Sequence, residues 1–354
     1  MTEAVQRTVA ILHPAISSRG GNWLEAFVPA TSGYRFDLVL APAPEQSWHE
    51  RGGRTNASGW WVHFRHAIKG LRSRPDAIVT SFPQLAFACC LLRPVLSRKT
   101  KIIGWSFNFG KASQDRIARL YGMILRHANL LVVHSTEEVG VYARAFGILP
   151  AKLKFVPLQV GDVKVEPKDE GFDAIALGSA WRDYGTLCDA VRGTDLRVLI
   201  IASPAAMRGV DVPENVVVRS GLSRLECRAL QAAAPVTVIP ISPRANAAGQ
   251  VTFVFSMSKA RAIVATDSIG IRDYLVDGEE VILVPEQDAE TMATVLLSLR
   301  DNPELAKKLG AAAQKAWRER NSDPVAARHL VACLDQVFGS AVVGTATIPP
   351  TVLT

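Results

Sequence analysis

Two successive doubly wound α/β domains are what this sequence predicts, on three observations. Short, nearly continuous apolar runs recur along the chain with helix-length segments between them. A polar, proline-containing break interrupts that series once. The length of 354 residues exceeds what a single hydrophobic core usually serves. Apolar strands alternating with helices indicate a parallel sheet covered on both faces, which is the doubly wound arrangement. A hydrophobic content of 48% is enough to fill two such cores.

The elements follow in order. VAILHP (9–14) reads as the first strand, and Gly20 and Gly21 then open a helix through Trp23, Leu24 and Phe27. FDLVLA (36–41), DAIVTS (76–81), KIIGWSF (101–107) and NLLVVHS (129–135) complete the first series. VGDVKVEPKDEG (160–171) is polar and charged and suits an interdomain linker. Six further strands follow: DAIALGS (173–179), LRVLIIAS (196–203), NVVVRSG (215–221), PVTVIPIS (235–242), RAIVATD (261–267) and EVILVP (280–285). Helices are expected near 288–300, 303–320 and 324–338, before a small-residue tail. The expected division is a first domain over 1–160, a linker over 161–171 and a second domain over 172–322. A helix over 323–338 packs back on the first domain, and a disordered tail covers 339–354.

Composition narrows the function. The net charge of +7 hides an asymmetry: residues 1–160 carry 20 Lys+Arg against 9 Asp+Glu, a net of +11, and the remainder is net −4. A positive first half suits nucleic acid, an anionic membrane or a phosphorylated small molecule. The cations are scattered without aromatic interleaving or a helix-turn-helix pattern, which argues against nucleic acid. No run approaches 18 apolar residues, and the beginning of the chain lacks the marks of a secretory signal, so a cytoplasmic location is expected. Five cysteines without paired spacing suggest neither a metal site nor a disulfide framework.

Three loops of the second half carry the candidate chemistry. In open α/β sheets ligands bind beyond the carboxyl ends of the strands, where helix N-termini offer free N–H groups and a positive dipole end. In GSAWRDYGTL (178–187), Gly178 and Ser179 permit close backbone approach, and Arg182 suits a diphosphate in bidentate fashion; a solvated turn with a surface arginine is the alternative. In the second loop, Arg244 and Asn246 precede Gly249, Gln250, Val251 and Thr252, which form a helix start. Its N–H groups and the Thr252 hydroxyl are candidate phosphate donors, and a plain helix cap is the alternative. In RSGLSRLEC (219–227), Ser223 and Arg224 are candidates to hold a base. A capping box of Ser223 with Glu226 accounts for them better.

The run SMSKARAIVATDSIGIRDYLVDGEEVILVP, continued to Trp317, resembles the C-terminal signature of family-four retaining glycosyltransferases. Its features are an alanine-rich helix, a Pro-Val-Val-Ala-type strand, a glycine turn, a short helix (RDYLVDG) and a glycine loop. NLLVVHSTEEVGVYARAFGILPAKLKFVP (129–157) is similar to the exit from their N-domain, and GSAWRDYGTLCDAV to their phosphate loop, with Arg182 in place of a lysine. The resemblance covers most of 129–320. It implies the GT-B fold, two Rossmann-like domains facing across a cleft. It further implies a nucleoside diphosphate sugar bound by the second domain, an acceptor bound by the first, no metal, no cofactor and retention at the sugar carbon. Arg182 and Gln250 would then stabilise the transition state. One departure stands out: the family's two glutamates, eight positions apart, fall on Ala247 and Phe255. Gln250, Asn246 and Arg244 are available to bond sugar hydroxyls instead.

In the first domain the loop Gly20-Gly21-Asn22 resembles the family's glycine loop, with ordinary turn chemistry as the alternative. Trp105 and Asn108 are candidates for the cleft, although aromatics of this kind more often pack inside. His13 and His134 end strands, where a structural role is the commoner one. WWVHFRHAIKGLRSR (60–74) sets Trp61, Phe64, Ile68 and Leu71 at helical spacing beside cations, and FPQLAFACCLLRPVLSRKTK (82–101) is similar. Peripheral attachment to an anionic inner membrane face and a sheet-covering helix are both open. The expected partners are thus a nucleotide-sugar donor, a glycan or lipid-linked acceptor and an anionic membrane surface, with nucleic acid excluded. The expected role is surface polysaccharide synthesis; the alternatives are a non-catalytic partner subunit or a nucleotide-sugar epimerase.

Overall fold

The structure, a computed structural model, describes residues 6–12, 23–29, 32–41, 57–108, 116–243 and 247–339. Six parallel strands form each of two sheets. The first has the order β2-β1-β3-β4-β5-β6, from β1 (Arg7–Leu12), β2 (Tyr34–Leu38), β3 (Ala77–Ser81), β4 (Lys101–Ser106), β5 (Leu130–Val133) and β6 (Leu153–Phe155). The second has the order β12-β11-β10-β7-β8-β9, from β7 (Ala174–Leu177), β8 (Val198–Ile201), β9 (Val216–Arg219), β10 (Val236–Ile239), β11 (Ala262–Thr266) and β12 (Ile282–Val284). The strands β3, β5, β7, β8, β10 and β11 are buried at every residue, in keeping with a composition of Val, Ile, Leu and Ala relieved only by Thr80, Ser81, Thr237 and Thr266.

The helices connecting the first sheet are α1 (Trp23–Phe27), α2 (Ala57–Arg72), α3 (Pro83–Leu96), α4 (Arg116–Leu125) and α5 (Thr136–Phe146). Those of the second half are α6 (Tyr184–Val191), α7 (Arg224–Ala233), α8 (Gln250–Ser258), α9 (Ala289–Asp301) and α10 (Pro303–Arg320). The last helix, α11 (Asp323–Phe338), returns to the first domain. Ala327, Leu330, Cys333 and Leu334 complete the core that holds Val9, Ile11, Val79, Ile103 and Trp105, and Asp335 accepts from the Tyr34 hydroxyl at 2.7 Å. Residues 161–171 form no helix or strand; Val163 and Val165 lean on the second core.

One expectation is corrected. The segment 272–278 is a series of turns and not a helix, because Asp273 and Tyr274 are committed to the first domain by hydrogen bonds. On α2, Leu71 is buried and Phe64 packs on the core, so most of that apolar row covers the sheet. All five cysteines are buried and free, and burial pushes the Cys90 thiol up to about 12. No described helix is long and apolar enough to cross a membrane. The expected tail lies, apart from Gly339, outside the described residues.

Candidate functional site

The carboxyl ends of β7 and β10 are neighbours in the second sheet, so the loops that leave them run side by side. An isolated bridge ties Arg182 to Ile241, and the Asp183 N–H bonds the Pro240 carbonyl at 3.0 Å. Gly178, at φ +116, and Trp181, at φ +59, give the first loop its sharp course. A Cβ at Gly178 would lie 2.8 Å from the Arg182 guanidinium, so glycine there leaves that side chain its place.

Arg182 is then held by three acceptors: its Nε donates to the Leu177 carbonyl (3.0 Å), one Nη to Ala180 (3.1 Å) and the other to the Thr252 hydroxyl (3.2 Å). Among the described residues no carboxylate pairs with it. Desolvation draws its pKa below the ordinary arginine value, yet a guanidinium remains charged. Among the described residues the positive charge is therefore uncompensated, and it is bonded to the first turn of α8 through the Thr252 hydroxyl.

That turn begins at Gly249, whose φ of +92 lets the chain enter the helix with no side-chain cap. Thr252 and Phe253 both direct their N–H groups to the Gly249 carbonyl. The Thr252 N–H is thus unavailable to a ligand, which corrects its expected role. The N–H groups of Gln250 and Val251 meet no acceptor among the described residues. The Gln250 side chain is only 7% exposed and likewise has no described hydrogen-bond partner. Beneath, Gln231 of α7 donates to the Thr252 carbonyl (3.0 Å) and the Ser256 hydroxyl (2.8 Å), which donates to Thr237 (2.8 Å). This buried network fixes the helix start, and sequence spacing offers no signal for it.

The first domain approaches the same place. A Cβ on Gly270 would lie 2.7 Å from that of Ala247 and 3.2 Å from Ser135, so three loops from two domains converge there. Asp273 accepts the Thr136 N–H (2.8 Å) and hydroxyl (2.7 Å), while the Tyr274 hydroxyl donates to the His134 carbonyl and accepts from the Leu158 N–H, each at 2.8 Å. Neither Asp273 nor Tyr274 was singled out from the sequence, because their roles depend on contacts more than 100 residues away.

Other candidates are placed differently. Ser179 accepts from the Ser203 N–H and joins the ends of β7 and β8. Ser223 forms the capping box with Glu226. Trp105 lies in the core beneath α11, where it has no free face to stack on a sugar, and Asn108 is exposed. His134 is buried; its Nδ1–H donates to the Val156 carbonyl at 2.8 Å, and burial lowers its pKa to about 4, so it is a neutral structural group. Phe255 is a core residue, and Ala247 is buried against Gly270, so no carboxylate stands at either family position. Gly20, Gly21, Asn22, His13, Arg244 and Asn246 lie outside the described residues.

Comparison with solved structures gives the arrangement its context. Sucrose-phosphate synthase from Thermosynechococcus elongatus superposes with a TM-score of 0.67 at 14% identity, covering 95% of this chain and 100% of that one. The Anabaena protein HepE in complex with UDP-glucose gives 0.65 at 11% identity, with the same coverage. The lipopolysaccharide outer core galactosyltransferase WaaB gives 0.60 at 14%, covering 94% of this chain and all of that one. The fold is GT-B. No protein-family model matches the sequence, and neither does any curated protein. The GT-B likeness is thus one of architecture.

Proposed function

We propose that this protein is a glycosyltransferase that binds a nucleoside diphosphate sugar at the start of α8. It moves the sugar, with retention, to a hydroxyl of a glycan or lipid-linked glycan during surface polysaccharide synthesis at the cytoplasmic side of the membrane. One observation carries this reading: a guanidinium with no described carboxylate partner, bonded to the first turn of a helix whose leading N–H groups have no described acceptor, beside Gln250, whose side-chain amide has no described partner. Such a constellation suits a diphosphate. In the transfer, the bond between the anomeric carbon and the diphosphate oxygen breaks, and its electron pair leaves on that oxygen. A new bond forms between the anomeric carbon and the acceptor oxygen, whose proton passes to the departing diphosphate oxygen. Charge builds on the diphosphate, where Arg182 and the helix terminus stabilise it without reorganising. They supply the neutralisation that a divalent ion gives elsewhere, and the step uses no redox or covalent cofactor. The HepE structure with UDP-glucose supports a nucleotide-sugar donor by analogy of fold.

Ala247 and Phe255 favour a second reading, a non-catalytic GT-B partner subunit, since no carboxylate is available where the family uses two. A screen of thermal stability against UDP, GDP, ADP and dTDP, followed by turnover with the sugar form of the binder, separates these. A ligand at 100 times its Kd adds about 2.7 kcal/mol of stability. Binding with hydrolysis or transfer supports the enzyme, binding without either supports the subunit, and no stabilisation by any nucleotide defeats both.

A further inference from the structure

The first domain carries a face of mixed apolar and cationic side chains, and we propose that this face lies against an anionic lipid bilayer. The helices α2, α3 and α4 stand side by side over one side of the first sheet. Half-buried rings seal them together: Trp60 lies 5.6 Å from Phe87 and 5.9 Å from Tyr121, and Phe87 is 4.8 Å from Tyr121. Beyond that seal the apolar residues continue outward. On α3, Phe87, Leu91 and Val95 follow at four-residue steps on one side of the helix, and Val95 is 85% exposed. Ile117, Leu120 and Met123 stand out from α4, and Trp61, 64% exposed, from α2. A single exposed leucine carries no message, but six large apolar side chains on three adjacent helices do.

The charge pattern identifies the partner. The described residues between 57 and 126 hold eleven Lys and Arg and one acid, Asp76. None of the eleven enters an ion pair with a described residue, and Asp76 accepts the Thr8 N–H. Where the apolar row of α3 ends at Val95, a basin of about 340 Å³ opens, lined by Arg74, Arg98 and Lys99. Apolar burial next to a basin lined by three cations and the single carboxylate of Asp76 matches an acyl boundary next to anionic headgroups. A second copy of the chain would bring eleven like charges against these. Nucleic acid would gain nothing from Leu91, Val95, Ile117 and Leu120, which cannot stack on bases. The inference goes beyond the donor site and stands without it, since vesicle binding needs no nucleotide.

The test is flotation of the full chain with phosphatidylcholine vesicles, with and without phosphatidylglycerol, at low and high salt. The protein is expected to float with the anionic vesicles at low salt, to be released by salt, and to ignore pure phosphatidylcholine. Trp61→Ser/Ile117→Ser/Leu120→Ser, and separately Arg98→Glu/Lys99→Glu, should each lower partitioning roughly tenfold or more, with unchanged circular dichroism and Tm. The charge variant alters exposed side chains only, and so decides the matter if the apolar variant unfolds. No flotation on anionic vesicles overturns the proposal, as does flotation equal to wild type in the folded charge variant. A wild-type dimer that both variants dissolve in light scattering would make the face an interface between copies, and would overturn it too.

Discussion

Two helices begin at the domain boundary, and they are finished in opposite ways. The first turn of α5 is closed: Ser135 accepts the Glu137 N–H, and Asp273, from the other domain, takes both the N–H and the hydroxyl of Thr136. The first turn of α8 is open: its cap is a glycine, two N–H groups have no described acceptor, and the neighbouring charge is a cation. A carboxylate at a helix N-terminus satisfies the dipole and the free donors together. Where the protein supplies its own, the terminus joins two domains. Where it withholds one and adds a guanidinium, the terminus suits the external anion proposed above.

The comparison breaks most visibly at Arg182. Replacing it with Gln should lower transfer by about 10²–10³-fold, measured as initial rate with saturating acceptor. Arg182→Lys should recover little, because a point charge cannot reproduce the three-way fork. Acid should act next, through His134, which stands just before the closed terminus. Its folded pKa of about 4 lies below the ordinary 6.5, so the unfolded chain takes up its proton first as pH falls. The stabilisation is complete above pH 6.5, and about 3 kcal/mol of it is lost as pH falls through the interval down to 4. Chemical denaturation at stepped pH measures this, and His134→Gln should flatten the profile.

Gly270→Ala should cost about 1–3 kcal/mol, since φ is +85 and the new Cβ would crowd Ala247 and Ser135. It should weaken nucleotide binding as well, because it separates the loops of the open terminus from those of the closed one; melting with and without ligand reports both. The smallest effects should cross. Asp273→Ala is expected to cost about 1 kcal/mol of stability with nucleotide affinity unchanged. Gln250→Ala should leave stability nearly unchanged and weaken the donor several-fold, the worth of about one hydrogen bond. Calorimetry beside denaturation would expose any failure of that crossing.

The sheets were legible because buried parallel strands leave unbroken apolar runs, and eleven of the twelve can be read directly from them. The exception is β6, Leu153–Phe155, where Lys154 breaks the apolar run. The proximity of Arg182 and Thr252, 70 positions apart, also follows from sequence, since both lie just past strand ends and doubly wound sheets gather those ends on one edge. What spacing could not reveal were contacts fixed by how one domain meets the other. Asp273 and Tyr274 looked like part of a local helix, and their side chains acquire a role only when the second body is present. Trp105 misled for a related reason: the surface it occupies is covered by α11, which follows it by more than 200 residues.

That last helix has a consequence for how the molecule is made. Since α11 supplies one wall of the earlier domain's interior, the amino-terminal sheet emerges from the ribosome with Val9, Ile11 and Ile103 bare on one side. It stays so until residues 323–338 have been synthesised as well. The two halves must therefore mature together, and a shortened chain ending before residue 323 would lose the half that it appears to leave intact.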